Sequence, residues 1–144
     1  MDEHALREIV WQIVGGDLHA FEALLLAKPS GVDELRKSGV RFIVSAPAVT
    51  KVLLVLQRRE VAPELIQQWA SFIRRGYFGR SLLPRTPLHI DYNETQEDAI
   101  VEAIGRLDEL GDFIDGEIRD AEITKLIQSL DAGSGEGKNS VNSK

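Results

Sequence analysis

Apolar residues recur along this chain at the three- and four-residue spacing of helices that bury one face. Leu6, Ile9, Val10 and Ile13 form such a stripe over residues 4–14, with Trp11 at its margin. Gly15-Gly16 ends it. Asp17 then stands where a carboxylate can accept from the free amides of a second helix, 18–27, which turns Phe21, Leu24 and Leu25 inward. Pro29 stops that helix, and Ser30 opens a short helical turn through Leu35. Val52, Leu53, Val55 and Leu56 predict a third helix over 47–59, with Pro47 in a first turn where its missing N–H costs nothing. Pro63 opens a fourth over 63–75, with Leu65, Ile66, Trp69, Phe72 and Ile73 inward and Gly76 as its stop. Asn93 or Thr95 caps a fifth over 96–110, whose inward stripe is Ile100, Ala103, Ile104, Leu107 and Leu110. A sixth over 120–130 buries Ile123, Leu126, Ile127 and Leu130.

The connections are less regular. Arg41–Ser45 is β-branched enough for a short strand and equally suits an extended connector. Residues 77–92 hold Pro84, Pro87 and the extended runs Leu82-Leu83 and Leu88–Tyr92. Tyr77, Phe78 and Tyr92 there are candidates for exposed aromatic surface. Asp112–Gly116 is a turn that tucks Phe113 and Ile114 inward. From Ala132 onward three glycines accompany a single larger aliphatic residue, Val141, too little to offset ordering entropy, so 132–144 is expected as a flexible tail. The pattern predicts a mainly α, single-domain antiparallel helical bundle over residues 1–131, with at most a short β element.

Composition narrows the possible chemistry. A length of 144 residues suits one core. The absence of cysteine excludes disulfides, thiolate zinc sites and cysteine nucleophiles. No apolar run approaches the ~20 residues needed to cross a bilayer. The start, Met1-Asp2-Glu3-His4, is acidic and lacks the layout of a secretory signal, so a cytoplasmic location without membrane contact is expected.

Charge is distributed unevenly. Residues 1–90 carry 12 Lys/Arg against 9 Asp/Glu, whereas 91–131 carry 3 against 13. The net charge of −6 argues against direct nucleic-acid binding and leaves basic partners open. The acidic block is either a solvated helical face or an interface. The basic pairs Arg58-Arg59 and Arg74-Arg75 fall at helix C-termini, where they offset the helix dipole.

No catalytic set stands out. His19 and Glu22 lie one helical turn apart, but two ligands are too few for a metal. The turn from Asp108 to Glu117 is rich in carboxylates, yet Phe113 and Ile114 occupy positions a calcium loop gives to ligands. Glycines form no phosphate cradle, and Ser45 and Ser71 lack the flanking glycines of a hydrolase nucleophile. The expectation is a non-enzyme with no cofactor and no metal. An enzyme using carboxylates around a bound metal is the weaker alternative.

The order Leu65-Ile-Gln-Gln-Trp-Ala-Ser-Phe72, then Ile90-Asp-Tyr92, then Ala99-Ile-Val-Glu-Ala-Ile-Gly-Arg-Leu-Asp-Glu-Leu-Gly-Asp112 resembles the bacterial self-protective colicin-like immunity family. The likeness covers 49–130 and leaves residues 1–48 without a counterpart. It implies a small helical bundle that binds a toxin's catalytic domain and covers its active site. A nuclease is basic where it holds phosphate, so a protein that blocks that site needs clustered carboxylates. Asp98, Glu102 and Glu109 share the face opposite Ile100, Ile104 and Leu107, and Asp112 and Asp115 follow in the turn. These five are the expected contacts with a basic cognate toxin. The other reading is a helical interaction module or adaptor whose acidic face only keeps it soluble.

Overall fold

A computed structural model describes residues 3–25, 34–76, 87–110 and 118–142. Helix α1 (Glu3–Val14) turns back through Gly15-Gly16 into α2 (Leu18–Leu25). Gly16 has φ 95°, and a Cβ there would lie 2.8 Å from the Ala48 carbonyl oxygen, so the turn requires glycine twice over. Asp17 caps α2 as its position suggests, accepting from the Ala20 N–H at 3.0 Å.

After a helical turn at 34–37 the chain enters strand β1 (Arg41–Val44), and Ser45 then caps α3 (Ala46–Arg58). Helix α4 (Pro63–Arg75) starts on its proline and stops on Gly76 at φ 77°. A Cβ on Gly76 would come within 2.3 Å of the Leu88 carbonyl oxygen. The Gly76 carbonyl accepts from the Leu88 N–H at 2.7 Å. That close approach leads the chain into strand β2 (His89–Tyr92). A 3₁₀ turn, Glu94–Gln96, leads into α5 (Glu97–Asp108), and α6 spans Asp120–Asn142.

The architecture is mainly α with a short β element, as the apolar spacing predicts. β1 is a strand rather than a bare connector, and it pairs with β2 in parallel, Arg41 beside His89 and Val44 beside Tyr92. Parallel pairing needs a long crossover, which α3 and α4 supply. Sequence spacing offers both extended segments but not their pairing.

One hydrophobic core runs through α1 to α6 and β1. α4 packs along α5, and α3 packs against α6. Trp69 is fully buried, and its indole N–H donates to the Ile13 carbonyl at 2.8 Å. The same carbonyl accepts from the Gly16 N–H at 2.9 Å, so α4 is tied to the C-terminal end of α1. Phe21 and Phe72 meet nearby with ring centroids 5.8 Å apart.

The helical backbone of α6 passes the Leu130 end set by apolar spacing and enters the stretch expected as a tail. Leu130 is buried in the core. Gly133, Gly135 and Gly137 each cost about 1 kcal/mol in a helix relative to alanine. Core packing accounts for α6 to Leu130. Expected features at 26–33, at 77–86 and at 111–117 lie outside the described residues. They include the end of the 18–27 helix, the Ser30 cap, Tyr77, Phe78, Leu82-Leu83, Phe113 and Ile114. Among the described residues no helix is long and apolar enough to cross a membrane.

Trp69→Ala should destabilise the fold by about 3–5 kcal/mol, because a large buried ring leaves a cavity. Chemical denaturation checks this, and a loss under about 1 kcal/mol would place Trp69 outside the core.

Candidate partner-binding surface

The face that α5 shows to solvent follows from the face it buries. Ile100, Ala103, Ile104, Leu107 and Leu110 are buried. Helical geometry then places Glu97, Asp98, Val101 and Glu102 together on the far side, all exposed. Asn93 accepts from the Thr95 N–H at 3.1 Å, which fixes the 3₁₀ turn and sets exposed Glu94 just before them. Val101 is 49% exposed amid these carboxylates.

The acidic block divides into carboxylates that are paired and carboxylates that are not. Asp91 accepts from the Arg41 guanidinium at 2.9 Å and lies 3.0 Å from His89 Nε2. The Arg41 hydrogen bond holds its carboxyl below the usual carboxylate range. Asp108, whose side chain is only 6% exposed, accepts from Arg74 at 2.7 Å and from Arg75 at 3.3 Å. Gln67 Nε2 donates to the same carboxylate at 3.2 Å. Arg106 donates to Glu109 and to Glu122, the latter through two nitrogens. This fork lowers the Glu122 pKa and raises that of Arg106, each mainly through their shared hydrogen bond. Beside Asp108 and Arg74, Tyr92 is half-buried, and burial pushes its hydroxyl pKa upward.

Among the described residues, no ion pair engages Glu94, Glu97, Asp98 or Glu102. Of the five expected contacts, the fold brings Asp98 and Glu102 together on the exposed face. Glu109 sits at the C-terminal end of α5, half-buried and held by Arg106. Asp112 and Asp115 lie outside the described residues. Glu94 and Glu97 join the face without having been singled out by the sequence, although their place in the acidic run was a signal.

Asp108 was missed as an organising residue. Its partners lie 33 to 41 positions away, so no local spacing reveals them. Arg74 and Arg75 do stand at the end of α4 as expected, and they also clamp α5 through Asp108. His19 Nδ1 is 4.0 Å from Glu22, and both side chains are largely exposed. Among the described residues no three His, Asp or Glu side chains form a cluster that could hold a metal ion. Comparison with protein families, characterised proteins and solved structures finds no match to this chain.

Glu122→Gln should flatten the acid limb of the stability curve. A carboxyl lowered in the fold contributes stability above its unfolded value of 4.5, and that contribution is lost as pH falls through the folded value. Urea melts at stepped pH between neutrality and the acid transition check this. An unchanged acid limb would show that the Arg106 fork does not support the fold.

Proposed function

We propose that this protein is a non-enzymatic immunity protein that acts in the cytoplasm. It binds a cognate basic bacterial toxin of the nuclease type and blocks it through the acidic face around α5. One observation carries this reading: Glu94, Glu97, Asp98 and Glu102 are exposed together, while the neighbouring acids Asp91, Asp108, Glu109 and Glu122 are taken up by arginines. The resemblance over 49–130 supports the same partner class.

Helix physics explains part of the patch and leaves part unexplained. Glu97 and Asp98 occupy the first turn of α5, where the helix dipole favours negative charge. That much also suits an adaptor with a solubilising face. Glu102 lies beyond the first turn, one turn after Asp98, and like charges at that spacing cost about 0.2–0.5 kcal/mol. A cationic partner relieves this repulsion.

The test is the double variant Asp98→Lys/Glu102→Lys, measured for association with the cognate toxin domain at low and high salt. Association at low salt should slow by roughly tenfold or more, and its salt dependence should weaken. Folding stability should stay within about 0.5 kcal/mol. Asp131→Lys, exposed elsewhere on α6, should bind as the unaltered chain does. Unchanged rates in the double variant would remove the α5 face from the mechanism. Absence of binding to any such toxin would remove the immunity reading itself.

A further inference from the structure

A second charged feature, opposite in sign to the α5 face, lies where α4 ends and β2 begins. Residues 73–76 and 87–91 line a cleft of about 380 Å³ there, and its charged side chains are Arg74, Arg75, His89 and Asp91. Asp91 is matched by Arg41 at 2.9 Å. The other two arginines are not so matched. Both reach Asp108 Oδ2, Arg74 at 2.7 Å and Arg75 at 3.3 Å, so two guanidinium groups share one carboxylate. That carboxylate is buried, whereas both arginines are nearly half exposed. Each makes its hydrogen bonds through Nη1 alone, Arg75 to Ser71 as well as to Asp108. Among the described residues nothing bonds to Nε or Nη2 of either. Those two nitrogens form an edge by which a guanidinium grips an oxyanion through parallel hydrogen bonds.

We propose that this cleft binds a small organic phosphate, a phosphomonoester held by Arg74 and Arg75. Charge points to an anion, because two guanidinium groups against one carboxylate leave local positive charge in a chain of net −6. The last carbonyls of α4 repel an anion, and one arginine would do no more than offset them. The second makes the site attractive. Donor geometry points to phosphate. Two free edges call for acceptors in more than one plane; a carboxylate holds its oxygens in one plane, whereas a phosphomonoester sets three strong acceptors about a tetrahedron. Size points to an ester, since a cleft of this volume falls in the range that holds small organic molecules and leaves room beside a bare phosphate. Nη1 of each arginine stays on Asp108, so binding leaves the contact between α4 and α5 intact. That contact also holds both guanidinium groups in place beforehand, which lowers the ordering cost of binding.

Heteronuclear NMR of the nitrogen-labelled full chain, titrated with glycerol phosphate, inorganic phosphate and acetate at constant ionic strength, tests this. The Nε–H signals of Arg74 and Arg75 should shift and saturate with glycerol phosphate, at a Kd of about 1 mM or tighter. Inorganic phosphate should bind more weakly, and acetate more weakly than the ester by roughly tenfold or more. Arg75→Gln leaves Arg74 on Asp108 and should weaken binding of the ester by roughly tenfold or more. Arg75→Lys keeps the charge without the fork and should recover only part of that loss. Arg58→Gln, outside the cleft, should bind as the unaltered chain does. If Arg75→Gln fails to fold, Arg75→Lys and the acetate comparison decide. The proposal is overturned if no saturable shift appears at Arg74 and Arg75, or if acetate or inorganic phosphate binds as tightly as the ester. A folded Arg75 variant that binds the ester unchanged overturns it equally. None of these results bears on toxin binding by the α5 face.

Discussion

The Ile13 carbonyl, at the end of α1, accepts two hydrogen bonds at once, from the Gly16 N–H and from the buried Trp69 indole. The first closes the turn into α2. The second fixes α4 against that turn. An indole is worth burying only if its N–H finds an acceptor, and a helix end supplies a carbonyl that the helix itself leaves free. Once α4 is so placed, its other end delivers Gly76 to Leu88 and Arg74 to Asp108. The first contact starts β2, and the second orients α5. The solvent face of α5, and with it the acidic patch, is thus set from across the core.

Features governed by neighbours in the chain were legible in the sequence. Asp17 caps α2, Pro63 and Gly76 bound α4, and the inward stripe of α5 is buried as its spacing predicts. Each depends on contacts within a few residues, where spacing and local chemistry decide. The pairing of β1 with β2 was not legible, because 44 residues of crossover separate Val44 from His89 and neither strand names its partner. Trp69 could be placed in the core from its spacing, but the carbonyl that receives its N–H lies 56 positions back.

The charges tell the same story. Arg106 stands one turn after Glu102, and local spacing pairs them; in the fold its guanidinium serves Glu109 and Glu122. That choice neutralises one of the expected contacts and leaves Glu102 in water. A block that reads as uniformly acidic becomes two populations, one structural and one available. Asp91 and Asp108 hold elements together, whereas Glu94, Glu97, Asp98 and Glu102 hold nothing among the described residues. The division depends on where cations arrive from distant elements, so composition alone could not make it.

The most direct test of that division is zero-length carbodiimide cross-linking of this protein to the proposed toxin partner, with the joined peptides mapped by mass spectrometry. The carbodiimide couples a carboxylate only to an amine in contact with it. The account predicts links from Glu97, Asp98 or Glu102 to toxin lysines, and none from Asp91, Asp108 or Glu122. Links confined to those arginine-bound carboxylates, or to surfaces away from α5, would contradict it.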